Sequence, residues 1–168
     1  LKFVITEAGC AWIPGMLEHL DGLMAMLRTG STGEMRFEGE TVPPRSATEY
    51  FKQSCFVGFS QPGPADLKAA VGPVGIDKVM WGSDYPHEEG THPFTREHLR
   101  QVMGHLQPEQ IQQILAGNAA ELYGFDLDAL RPLADQFGPT VGEIAQPLTE
   151  LPKGANQALR RSAAQLKK

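Results

Sequence analysis

Cysteine is nearly missing from this sequence: Cys10 and Cys55 are the two in 168 residues, and no CxxC spacing relates them. Two thiols cannot build the disulfide framework of a small secreted domain, so both read as buried free thiols. Long apolar runs are missing as well. None approaches the roughly 18 residues of a membrane-spanning helix, and no charged-then-apolar targeting segment opens the chain. The expectation is a cytoplasmic protein with no membrane partner. The third absence is a basic surplus. Fifteen Lys and Arg stand against twenty Asp and Glu, a net charge of -5. The last acidic residue is Glu150, and Lys153, Arg160, Arg161, Lys167 and Lys168 follow it, which leaves -10 for residues 1–150. So acidic a body argues against nucleic acid as a partner. The five cations of the tail, diluted by Ala, Gln and Asn, read as a solvated, flexible end.

What is present is the composition of a soluble globular protein, 41% hydrophobic and 21% charged, in a chain long enough for one domain with a sizeable core. Its organising stretch is Val79-Met80-Trp81-Gly82-Ser83-Asp84-Tyr85-Pro86-His87-Glu88-Glu89-Gly90. A short apolar run behind Asp77-Lys78 reads as a buried strand, and it breaks abruptly into a Gly-Ser-Asp turn punctuated by Pro and Gly. The turn displays Asp84, His87, Glu88 and Glu89. In parallel α/β folds ligands and metals sit at the carboxyl ends of strands, because helices cover the flanks and only the βα loops converge on open space. Ser and Asp also start turns by bonding nearby backbone N–H groups. Spacing alone favours that plainer role for Asp84, and it favours solvated turn residues for Glu88 and Glu89.

The chain enters at once into Leu1-Lys2-Phe3-Val4-Ile5-Thr6, a β-rich run with no element before it, so the expectation is the later part of a larger domain. A strand ending at Thr6 or Glu7 puts Glu7 at a strand's carboxyl end, as Asp84 is. Pro14 suits a first helical turn. Ile13, Leu17, Leu20, Met24 and Leu27 then share one stripe of an amphipathic helix of about fourteen residues, with His19 off it and exposed. Residues 29–45 show no apolar period. So long a loop, holding Met35 and Phe37 as groups to bury, reads as a lid or arm.

Ser46 with Glu49 three residues on predicts a capping box. Cys55-Phe56-Val57-Gly58-Phe59 predicts a second strand, and Pro64 to Val71 a short helix stopped by Gly72-Pro73. Strand, helix, strand, helix, strand is the pattern of a parallel sheet with right-handed crossovers. Beyond Gly90, Thr95 is a candidate N-cap for a helix burying Leu99, Val102, Met103 and Leu106. Pro108 opens another that Gly117 would close in a left-handed conformation, after which Asn118 would cap a last turn ending at Gly124. Two weak apolar patterns fill residues 127–150, and a frayed end is expected after Pro152.

Trp81-Gly82-Ser83-Asp84-Tyr85-Pro86-His87, a helix pair, and then Ile114-Leu115-Ala116-Gly117-Asn118-Ala119-Ala120-Glu121-Leu122-Tyr123-Gly124-Phe125 together resemble the carboxyl-terminal end of the amidohydrolase superfamily. The nearer likeness is to its amidohydrolase-related branch, which includes aminocarboxymuconate-semialdehyde decarboxylase-like and other non-oxidative decarboxylases. Glu7-Ala8-Gly9-Cys10-Ala11-Trp12-Ile13-Pro14 resembles the sixth barrel strand of that branch. The resemblance implies an α/β fold, a partial (β/α)8 TIM barrel holding roughly the last three βα units plus C-terminal helices. Residues 1–126 would form this part, residues 127–151 a helical extension and residues 152–168 a basic flexible tail.

The family implies a divalent metal, zinc or manganese, at the barrel mouth. A His-x-His pair from strand one, a His from strand five and an Asp from strand eight would hold it. By that resemblance Asp84 is the strand-eight metal ligand, suited as an oxygen donor and able to take a proton from water. Glu7, where the decarboxylases often place a His, would assist proton transfer, and Trp12, Phe59, His87 and His92 would line the mouth for substrate. The five His, at 19, 87, 92, 98 and 105, include no His-x-His. The resemblance therefore implies either part of a metal-dependent hydrolase or decarboxylase for a small carboxylate-bearing or cyclic substrate, or a truncated, non-catalytic chain. That second chain would bind metal poorly and need a partner or self-association, as a homo-oligomer, to cover its sheet edge.

Overall fold

The computed structural model describes residues 1–36 and 42–166. Strand β1 (Phe3–Ile5) runs through the Glu7–Trp12 turn into helix α1 (Ile13–Arg28), whose second position is Pro14. The expected stripe is only half buried: Ile13 and Leu17 are sealed, while Leu20 is exposed. His19 is exposed, as its place off the stripe implies.

The expected lid begins instead as a small antiparallel hairpin of β2 (Ser31–Thr32) and β3 (Met35–Arg36). Gly33 at φ +58 makes the turn between them, a conformation that Gly adopts without steric penalty. Met35 is exposed there rather than buried. Phe37, the other group expected to bury that segment, lies outside the described residues.

Helix α2 (Ala47–Ser54) carries the capping box in full: Ser46 Oγ accepts from Glu49 N, and a Glu49 carboxylate oxygen accepts from Ser46 N at 2.8 Å. It hands directly to β4 (Cys55–Phe59). Helix α3 (Pro64–Ala69) follows, continuing through a wide turn that breaks at Gly72, as Gly72-Pro73 requires. β5 (Val79–Trp81) completes a three-stranded parallel sheet in the order β1-β4-β5. Its register pairs Phe3 with Cys55 and Val57 with Val79.

Alternation along these strands divides the sheet into two faces. Val57, Phe59 and Val79 point into a core closed by α1 and by the helices that follow β5. Phe56 and Met80 take the opposite face. The Lys2 and Lys78 ammonium groups stand 5.7 and 5.0 Å from the Phe56 ring centroid.

After the site loop come α4 (Thr95–Met103), α5 (Pro108–Gln112) and α6 (Asn118–Tyr123). Two expectations fail here for one reason. Gly117 does not close a helix in a left-handed conformation. It stands at φ -58, and the chain runs helically from α5 into α6 through one wide turn. Asn118 is no cap: fully buried, its Nδ2 donates to the carbonyls of Ile76 and Val79 at 2.8 and 2.6 Å while its Oδ1 accepts from Gln113. A tertiary partner supplied hydrogen bonds that a cap would have taken locally. Gly124, at φ +72, does end the helix as its position implied. Thr95 is the first helical residue rather than the cap, and its hydroxyl lies 3.0 Å from that of Thr91.

The extension forms α7 (Leu127–Phe137), capped by the Asp126 carboxylate, and α8 (Val141–Ile144). Arg96 and Arg100 of α4 tie this region down by bonds to Phe137 O, Glu143 and Gln146 O. The frayed end expected after Pro152 is corrected by α9 (Gln157–Leu166), which buries Ala158, Leu159 and Ser162 against α4. Asn156 starts it by accepting from Leu159 N at 3.0 Å. Lys167 and Lys168 of the expected flexible tail lie outside the described residues.

Candidate functional site

The carboxyl ends of β1, β4 and β5 open on one cleft of about 320 Å³. Two acidic residues reach it from left-handed backbone, Glu7 at φ 60 and Asp84 at φ 59, the positive-φ residues other than glycine among those described. Asp tolerates this conformation and Glu less so, at a cost of about 1 kcal/mol or more that the surrounding loop must hold.

The loop after β1 is held by Asp66 of α3. Its Oδ1 accepts from Cys10 N at 2.7 Å and Ala11 N at 2.9 Å, and its Oδ2 accepts from Gly63 N at 3.0 Å. Gly9 is required where this carboxylate closes in, since a Cβ there would lie 2.7 Å from Asp66 Oδ1. Burial first, and the Asp66 charge second, push the Cys10 thiol up to about 12, so it remains a neutral, packed side chain.

The loop after β5 is fixed by its own backbone. His87 N donates to Asp84 O at 2.9 Å, Gly90 N to His87 O at 3.0 Å, and Thr91 N to Ser83 O at 3.0 Å. A Cβ on Gly90 would sit 2.9 Å from both Asp84 O and His87 O, so this close approach admits only glycine. Tyr85–Pro86 and His92–Pro93 are cis.

Asp84 is mostly covered, with 14% of its side chain exposed, whereas His87 is 60% exposed. His87 Nδ1 lies 3.1 Å from Asp84 Oδ1. At that distance the two atoms share a proton or flank a cation. Glu89 completes a group: Asp84, His87 and Glu89 each offer a donor atom, all within 4.8 Å of one another. The Gln61 amide holds the turn in place by donating to Glu89 O. Two carboxylates and an imidazole form a mixed oxygen and nitrogen donor set that suits zinc or manganese. A second hollow of about 420 Å³ continues from the cleft over the Met80 face of the sheet, bordered by Thr6, Gly58 and Tyr123.

Of the residues singled out from sequence, Glu7, Phe59, Asp84 and His87 meet in this cleft. Trp12 and His92 do not line it. The Trp12 indole N–H donates to Ala8 O at 3.0 Å, and the His92 ring packs edge-on against Tyr85 at 5.3 Å. Sequence reasoning passed over three contributors. Glu89 was read as a solvated turn residue, Gln61 was not considered, and Arg161 of α9 was assigned to a flexible tail, yet all three line the cleft. A signal for α9 existed: Asn156 as cap, then small and apolar residues at 158, 159, 162, 163 and 166, a helical period.

Fold and cleft together define a mixed α/β protein with a small parallel sheet, whose strand ends gather carboxylates and an imidazole around a small-molecule-sized space. The family comparison agrees. A family model described as amidohydrolase matches residues 1–125, and the chain belongs to that family. No curated protein matches it. Helices α7 to α9 lie beyond the matched residues.

Proposed function

We propose that this chain carries the metal-binding strand end of a metal-dependent amidohydrolase-like enzyme, acting on a small molecule by C–N or C–O hydrolysis or by non-oxidative decarboxylation. The carrying observation is the Asp84, His87 and Glu89 group at the strand ends. Asp84 is the principal holder of the cation, with His87 and Glu89 as the chain's other donors. When bound, the cation supplies positive charge against an oxygen of substrate or water. Glu7, on the adjacent strand end, receives or returns the proton. Phe59, 2% exposed beneath the cleft, excludes water from its floor. Trp12 and His92 flank the cleft and take no part in this chemistry.

The sheet is read as part of a (β/α)8 barrel, in the aminocarboxymuconate-semialdehyde decarboxylase-like branch. Parallel order, alternation of strand and helix, and convergence of the carboxyl ends support this. Three donors, two of them exposed, bind a divalent ion only weakly. Calorimetric titration of the chain with manganese or zinc is expected to show weak binding that Asp84→Asn abolishes. Equal isotherms for the two proteins would sink the metal reading.

A second reading has its own observation. Among the described residues β1 and β5 each pair on one side alone, and Phe3 in β1 is 54% exposed. On this reading the chain is non-catalytic by itself and completes its sheet with a partner or a second copy. Sedimentation equilibrium distinguishes the two: a concentration-independent monomer mass excludes self-association.

A further inference from the structure

We propose that α9 is a clasp on the loop that carries Asp84, His87 and Glu89, and that Asn156 is the positioning residue through which it acts. The proposal rests on the reading of that group as the cation site and adds what keeps its donors together. The loop cannot satisfy its own backbone. Pro86 and Pro93 have no N–H to give, and the loop's internal bonds reach the carbonyls of Ser83, Asp84 and His87. The carbonyls of Glu89, Gly90 and His92 are taken by side-chain amides from other parts of the chain. Gln61 donates to Glu89 O. Asn156 Nδ2 donates to Gly90 O at 3.1 Å and to His92 O at 3.2 Å, with Thr91 O between them at 3.5 Å. His87 and Glu89 are exposed, so the backbone beneath them sets where their donor atoms stand.

Asn156 is itself held at both sides. Ala155 N donates to Pro152 O at 3.1 Å in a turn that Gly154 makes at φ +81. Asn156 Oδ1 accepts from Leu159 N at 3.0 Å and so starts α9. One side chain thus caps the helix with its oxygen and grips the loop with its nitrogen. Behind it α9 is fastened to α4, where Ala158, Leu159 and Ser162 are buried and Ser162 Oγ lies 3.0 Å from His98 Nε2. At the far end Gln165 brings its Oε1 to 2.8 Å from where a Cβ on Gly63 would stand. The helix therefore runs from the loop after β5 to the loop after β4, and it lies outside residues 1–125 of the family match. A loop released from this clasp would have to be ordered by the ion as it binds, which weakens binding. The coupling is reciprocal: an ion that orders the loop also fastens α9.

The test uses the full chain with Asn156→Ser and Asn156→Asp, which keep an oxygen to cap α9 and lose the amide donor. Amide hydrogen exchange by NMR, without metal, reads the loop directly. The His87, Gly90 and Thr91 N–H groups are expected to exchange about threefold to tenfold faster in Asn156→Ser than in wild type, as loss of a neutral hydrogen bond implies. Asn156→Asp is expected to be faster still, since its carboxylate faces the same carbonyls. Amides of β4 keep their rates and circular dichroism its amplitude, which separates a released loop from an unfolded chain. Manganese titration, read by water-proton relaxation, is expected to show affinity about threefold to tenfold weaker in Asn156→Ser. Saturating zinc is expected to slow exchange of the Leu159 N–H in wild type and not in Asp84→Asn.

Loop exchange equal in wild type and Asn156→Ser overturns the proposal and leaves Asn156 a helix cap alone. Manganese affinity that falls with Asp84→Asn but not with Asn156→Ser also overturns it, as does zinc-loaded wild type whose Leu159 N–H exchanges at the metal-free rate. Manganese binding indifferent to Asp84→Asn, together with faster loop exchange in Asn156→Ser, sinks the metal reading alone and supports the clasp.

Discussion

Replacing Asn118 tests whether one buried amide sets the position of the strand that ends at Asp84. Its Nδ2 donates to Ile76 O and Val79 O, at the two sides of the start of β5, and the residue has no exposed surface. Asn118→Ala leaves two carbonyl acceptors without that partner, at about 1–3 kcal/mol each when buried, and opens a small cavity besides. The expected loss is about 3–5 kcal/mol, a large share of the roughly 5–15 kcal/mol that holds an ordinary domain together. Asn118→Asp keeps the shape but points a carboxylate oxygen at the same two carbonyls. It is expected to be worse than Ala at neutral pH and to recover partly in acid, where a protonated carboxyl can donate once. Urea unfolding followed by tryptophan fluorescence and circular dichroism measures the midpoint at constant slope. An Asn118→Ala protein within about 1 kcal/mol of wild type, or an Asp variant as stable as Ala at pH 7, refutes the reasoning.

Two further outcomes follow from buried or crowded groups. Burial lowers His98 from 6.5 to about 4, so the unfolded chain binds its proton more readily between those values. Stability is then fully present above pH 6.5 and falls as pH drops toward about 4, by about 3 kcal/mol in all. Thermal melts across that range check it. His98→Leu should flatten the slope, since Ser162 keeps its bond to Ala158 O. At the site loop, Gly90→Ala drives a methyl against the carbonyls of Asp84, His87 and Ser83 at about 3 Å, all of them backbone. The expected results are a loss of about 1–3 kcal/mol and weaker metal binding, read by thermal midpoint and manganese titration. Unchanged values for both would show that the loop is not closed as described.

The elements built from local rules were legible in sequence. The Ser46 and Glu49 capping box, Pro14 in a first helical turn, the β-branched and aromatic runs and Gly124 as a left-handed stop each depend on residues within a few positions of one another. Glu7 and Asp84 were readable as strand-end carboxylates for the same reason. Gly117 and Asn118 were misread because a Gly-Asn pair carries the same local signal whether it ends a helix or lets one pack closely. Buried carbonyls 39 and 42 residues away decided the matter. Arg161 was passed over because a dilute basic end looks like a solvated one until α4 is there to receive its apolar stripe.

Sequence alone thus determined the strands β1, β4 and β5 with the helices α1 to α6 around them, the two carboxylates that close strands, and the family likeness, since all of these are written in short-range spacing. Tertiary structure alone decided that Glu89, Gln61 and Arg161 join Asp84 around one cleft, and that Trp12 and His92 stay outside it. Which side chains share a few ångströms of space depends on how loops from β1, β4 and β5 and a helix more than 60 residues downstream are packed together. No local period along the chain encodes that distance.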